Sequence, residues 1–174
     1  MNRSRLAVAL GLVVPVLLVS GCSDDPVPKV APRESSAPSV SESPSPTQST
    51  DPVGIVHAWV KAQNLAMRTG DTARVRALSS RDCASCDGLL DPIDKVYEAG
   101  GYFHTKGWLV DGAKLANSDS ANAKVNAGIS IRGGTTLNAK GEQPVSYELD
   151  RRIVVFKLVR ENSEWLVSFI GFLS

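Results

Sequence analysis

The sequence predicts an α+β domain in which helices come first and an antiparallel sheet follows. Three observations carry this expectation. Apolar residues between Val53 and Tyr97 recur at helical spacing, and from Gly107 onward the period changes to two. The change happens once, which segregates helices from strands. The stretch from Val53 to Ser174 is about 120 residues, enough to bury roughly two-thirds of its surface around one core without a metal. It contains no internal repeat.

The chain opens with Arg3 and Arg5, then an apolar run from Leu6 to Val19, then Leu18-Val19-Ser20-Gly21-Cys22. That order reads as a lipoprotein signal peptide over residues 1–21, with the thiol of Cys22 receiving a diacylglyceryl group and becoming the mature N-terminus. The run is shorter than the about 20 apolar residues that a membrane span needs, and Pro15 interrupts it. An ordinary cleaved secretory signal and a retained anchor compete with this reading. Cysteine at the cleavage point favours lipidation, because a free thiol there has no structural purpose. The expected location is therefore the extracytoplasmic face of the cell membrane, lipid-anchored, where disulfides persist.

Residues 22–52 read as the lipidated cysteine and a disordered linker. Seven of the ten prolines lie between Pro26 and Pro52, amid serine, threonine and acidic residues such as Ser41-Glu42-Ser43-Pro44-Ser45-Pro46. Too little apolar surface is present to offset the entropy of ordering. Stretched as a proline-rich chain, the linker would reach on the order of 90 Å at roughly 3.1 Å per residue.

The domain itself is expected over residues 53–174. Asp51-Pro52 is a cap-and-proline helix start, Val56, Trp59, Val60, Gln63, Ala66 and Met67 share a face, and Gly70 stops the helix. A short second helix is expected from Thr72 to Leu78. A third carries Leu89, Ile93, Val96 and Tyr97 and ends at Gly100-Gly101; Asp91-Pro92 repeats the start signature, so the helix is expected to begin or restart there. Trp108 and Val110 open the first strand. Ala123, Val125, Ala127, Ile129 and Ile131 alternate with polar residues, and Gly133-Gly134 turns the chain. Val145 to Leu149 is read as running on into Ile153–Val159, and Glu161-Asn162-Ser163 turns into Trp165–Leu173. The outcome is N-terminal helices packed on a curved antiparallel sheet of about four strands.

The stretches His57-Ala58-Trp59, Thr69-Gly70-Asp71, Cys83-Ala84-Ser85-Cys86, Tyr97-Glu98-Ala99-Gly100-Gly101 and Lys106-Gly107-Trp108 resemble an uncharacterised domain family of actinobacterial lipoproteins. Helices followed by strands also resemble the cone-shaped nuclear-transport-factor-2-like fold. The resemblance implies a fold and no reaction, because that fold hosts isomerases, dehydratases and pure binding modules.

Charge excludes some partners. The chain has 19 basic and 18 acidic side chains, and from Val53 onward there are 15 Lys and Arg against 13 Asp and Glu. No basic block interleaves with aromatics, which argues against nucleic acid. Cys83 and Cys86 are expected to form a disulfide with each other, since the third cysteine is taken by lipid. Thiol-disulfide exchange through the pair competes, although no βαβ pattern surrounds it. Zinc would need two further ligands, and only His57 and His104 are on offer, so no metal or cofactor is expected. His57 shares a polar helix face with Lys61, Asn64 and Arg68 and reads as solvent-exposed. His104 sits where the rim of a cavity between helices and sheet would lie, as a candidate general base or a plain loop residue. Asp82, Asp87, Asp91 and Asp94 read chiefly as helix caps. No catalytic residues are assigned. The leading expectation is a membrane-anchored binding module for a small apolar ligand or an envelope protein. The alternatives are a small enzyme using His104 with a buried carboxylate, and thiol-disulfide exchange.

Overall fold

A computed structural model describes residues 51–173; the signal segment 1–21, Cys22 and nearly all of the 22–52 linker lie outside the described residues. Three helices come first: α1 (Pro52–Thr69), α2 (Ala73–Arg76) and α3 (Ala84–Glu98). Seven strands follow: β1 (Tyr102–Thr105), β2 (Trp108–Ser118), β3 (Asn122–Ile131), β4 (Gly134–Leu137), β5 (Val145–Tyr147), β6 (Asp150–Glu161) and β7 (Glu164–Leu173). No described helix is long and apolar enough to cross a membrane.

α1 begins and ends where the sequence signals say. The Gly54 N–H donates to the Asp51 carboxylate at 3.0 Å, and Gly70 closes the helix in the left-handed region at φ 77°. A side chain at Gly70 would also strike the Tyr97 ring, which lies against it. α2 is shorter than expected because its continuation is recruited elsewhere. The Val167 N–H donates to the Leu78 carbonyl and the Ser80 N–H to the Val167 carbonyl, at 2.9 and 2.8 Å, which stitches this loop to β7.

α3 does not restart at Pro92 but runs through it. The Asp91 carboxylate that suggested a cap instead accepts from Arg76 at 2.8 Å. Arg76 donates to Asp87, Asp91 and Asp94 together, at 2.7–2.8 Å, tying α2 to one face of α3. Its guanidinium is held well above its ordinary pKa, by the hydrogen bonds it donates to Asp91 first and to Asp94 second. The cap reading of Asp91 and Asp94 is thus corrected: both are tertiary partners.

The main sheet has four strands in the order β2-β3-β6-β7, all antiparallel. Alternation holds on its inner face, where Ala123, Val125, Ala127 and Ile129 of β3 and Val154, Phe156 and Leu158 of β6 are buried. The sheet curls strongly: Trp108 on one edge strand and Phe172 on the opposite edge stand edge-to-face with centroids 5.8 Å apart. A second sheet, β1-β4-β5, was not expected. Gly133-Gly134 is no simple hairpin, because Gly134 already pairs with Thr105 of β1. Val145–Tyr147 pairs with β4 and does not run on into β6, which starts at Asp150.

Two side chains of α1 fix it to the sheet. Trp59, fully buried, lies 6.3 Å from Trp108 and 6.0 Å from Phe156 by ring centroids, and its Nε1–H donates to Ser79 Oγ at 2.9 Å. Burying a ring of this size removes about 150–250 Å² from water. One turn on, Asn64 behaves as a piece of strand. Its Nδ2 donates to the Trp108 carbonyl at 2.7 Å and its Oδ1 accepts from the Trp108 N–H at 2.8 Å. The polar-face reading of Asn64 is therefore corrected, while His57, Lys61 and Arg68 on that face are exposed. Gly107, at φ 74°, lets Asn64 approach, since any Cβ there would meet the amide.

Asn64→Ala strips both partners from the Trp108 backbone and is expected to cost about 2 kcal/mol. A lower urea midpoint at unchanged m-value is the readout; an unchanged midpoint would show the clamp to be dispensable. Arg76→Ala leaves three aspartates facing one another. The half-exposed network makes the expected loss about 1 kcal/mol, shrinking in molar salt. A loss insensitive to salt would point to packing in place of charge.

Candidate functional site

The seam between the two sheets forms the candidate site. β1 turns into β2 through Lys106-Gly107, and β3 turns into β4 through Arg132-Gly133, and these turns lie side by side. The Arg132 N–H donates to the Gly107 carbonyl at 2.9 Å. Thr105 completes the join, its hydroxyl donating to the Arg132 carbonyl at 3.2 Å and accepting from the Gly107 N–H at 3.0 Å. The Asn64 clamp on Trp108 holds the same corner from the helix side.

Above this corner lies an open groove of about 590 Å³, lined by His104, Thr105, Lys106, Arg132, Gly133, Gly134, Thr135 and Leu149. His104 is exposed and opposite Thr135 across the β1–β4 ladder. The expected rim was that of a cavity between helices and sheet; the groove that His104 lines lies at this seam instead. The space between α1 and the main sheet, where a ligand cavity was expected, is occupied at its centre by the packed rings of Trp59, Trp108 and Phe156.

The groove is one-sided in charge. His104, Lys106 and Arg132 supply nitrogen groups from three places in the chain, and no carboxylate lines it. Glu148 and Asp150 flank Leu149 in sequence, yet neither is a lining residue. Asp150 is engaged by Arg152, whose Nε donates at 2.7 Å and holds the carboxyl below the usual range. Acid–base work by His104 with a buried carboxylate therefore lacks its second member among the described residues. Lys106, Arg132, Thr135 and Leu149 were not singled out from the sequence. The available signal was a basic residue beside glycine in each of two turns.

The other candidates lie apart. The sulfurs of Cys83 and Cys86 are 2.03 Å apart, at disulfide distance, and each residue is 1% exposed. Thiol exchange needs an accessible sulfur, which this burial denies. The first turn of α3, which lies between them, has a structural partner instead: Ser85 Oγ accepts from the Ile170 N–H of β7 at 2.8 Å. Cys22 lies outside the described residues. Two buried polar atoms, Gln63 Oε1 on α1 and the Tyr147 hydroxyl on β5, have no hydrogen-bond partner, and neither residue lines the groove.

Solved structures share this architecture at low identity. The intermembrane space region of the chloroplast protein ARC6 is 15% identical with a TM-score of 0.51, covering 69% of this chain and 92% of that one. A ketosteroid isomerase-like protein from Erwinia carotovora atroseptica is 16% identical with a TM-score of 0.45, covering 70% and 96%. An aromatic ring hydroxylase candidate from Novosphingobium aromaticivorans is 13% identical with a TM-score of 0.47, covering 69% and 87%. No curated protein matches. The fold is helices followed by curved antiparallel sheets that stay open. Residues 54–167, well over half of the sequence, match the family of unknown function DUF6318, and the chain belongs to that family.

Proposed function

We propose that this protein is a lipoprotein of the cell envelope, anchored through Cys22 to the outer face of the cytoplasmic membrane, whose domain is a binding module. Its working surface is the groove beside His104. One observation carries this reading: the groove is open and its three nitrogen side chains have no protein partner, whereas the middle of the helix–sheet interface is filled with aromatic rings. A module of this kind meets its partner at the surface, and an envelope component is the partner class that a membrane tether brings within reach. The small apolar ligand first expected has less support, since the groove offers Leu149 as its one large apolar side chain.

Two experiments test the two halves. Radiolabelled palmitate should appear on the wild-type chain and be lost from Cys22→Ala, with the variant leaving the membrane fraction. Equal labelling, or none on either, removes the anchor. A photo-crosslinking residue placed at Thr135 in cells should capture an envelope component that the same residue at Lys61, on the exposed face of α1, does not. Capture at Lys61 alone moves the working surface away from the groove.

A further inference from the structure

The chemistry of the groove narrows its ligand, given that the groove is the working surface. We propose that it is an anion site for a phosphate ester, with the phosphate held by Arg132, Lys106 and His104 and the organic part lying toward Leu149. Three observations support it. First, the backbone carrying the cations is fixed from several sides: Arg132 N–H to Gly107 carbonyl, Thr105 hydroxyl to Arg132 carbonyl, and Asn64 to Trp108 next door. Second, the side chains themselves are uncommitted. None of His104, Lys106 and Arg132 has an ion pair or side-chain hydrogen bond, although Arg76 and Arg152 elsewhere in the domain are paired with aspartates. With the backbone already fixed, only the side-chain tips remain to be ordered when an anion arrives, and no protein partner has to be displaced from them.

Third, charge and size select among anions. Two permanent cations with a histidine beside them match the about −1.5 to −2 charge of a phosphate monoester at neutral pH better than a single carboxylate. Arg132 offers a planar fork for two oxygens, Lys106 a point charge, and Thr105 and Thr135 flank them. A groove of about 590 Å³ is far larger than an inorganic ion and falls in the range of small organic ligands. A phosphate monoester can come from a soluble metabolite or from a lipid whose headgroup ends in phosphate, and the chemistry at the site is the same.

The two histidines make the test direct, because His57 on α1 serves as an internal control. The full-length lipidated chain in nonionic detergent is titrated at fixed pH and ionic strength while the ring-proton resonances of both histidines are followed by NMR. Glycerol 3-phosphate is the soluble probe and lysophosphatidic acid, a lipid that ends in a phosphate monoester, is doped into the micelle as the lipid one. A saturable shift of His104 with His57 unmoved is expected, with at least a tenfold loss of apparent affinity in Arg132→Gln. Lys106→Gln serves as the second variant should Arg132→Gln fold poorly. Response to glycerol 3-phosphate assigns a soluble ester, and response to the lysolipid alone assigns a headgroup. Silence with both probes, equal movement of the two histidines, or full affinity in both variants overturns the proposal. That failure is separate from failure of the binding-module reading, which the crosslink at Thr135 reports.

Discussion

The burial of Trp59 between Trp108 and Phe156 sets the geometry on which the other contacts depend. It draws the edge of the sheet that carries Trp108 toward the middle of the sheet, beneath one helix, and so requires the sheet to curl. The curl brings Phe172 from the far edge against Trp108. The buried indole N–H is satisfied by Ser79, whose own hydroxyl donates to the Val75 carbonyl, so the polar cost of placing tryptophan at the centre is met within α2 and its loop. With α1 fixed at that point, Asn64 falls one turn further along, where its amide completes the backbone of Trp108. The core thus positions a surface corner about which it has no direct chemical interest.

That corner is where the sheets part company. The small sheet hangs on short ladders, β1 with β4 and β4 with β5, and its strands have no fully buried side chain. Its position depends on the hydrogen bonds at the two adjoining turns. A recognition surface built at such a seam inherits order from the core on one side and adaptability from the small sheet on the other.

Legibility followed the same division. α1 was readable to the residue because three local signals agree: Asp51 as cap, Pro52 at the first position and Gly70 at the stop. β3 was readable because Ala123, Val125, Ala127 and Ile129 are buried on one face, while Asn122 and Asn126 on the other are exposed. The small sheet escaped because Tyr102–Thr105, Gly134–Leu137 and Val145–Tyr147 are three or four residues long, with too few positions to establish a period. Pro92 misled because Asp-Pro marks a helix start only when the carboxylate turns back to its own backbone, and Asp91 turns to Arg76, 15 residues away. Asn64 was hidden on a polar face for a similar reason, its partner being 44 residues distant. In the groove only His104 drew notice, since a histidine is conspicuous wherever it falls. Lys106 and Arg132 looked like ordinary surface cations until two turns separated by some 25 residues were seen to be neighbours.

The burial of the Cys83–Cys86 pair ties its chemistry to the opening of the fold. While Ser85 accepts the Ile170 N–H and the start of α3 stays docked on β7, each cysteine is 1% exposed. Exchange at this bond therefore requires that contact to open first. The C-terminal strand acts as a seal, shielding the bond for as long as the strand stays in the sheet.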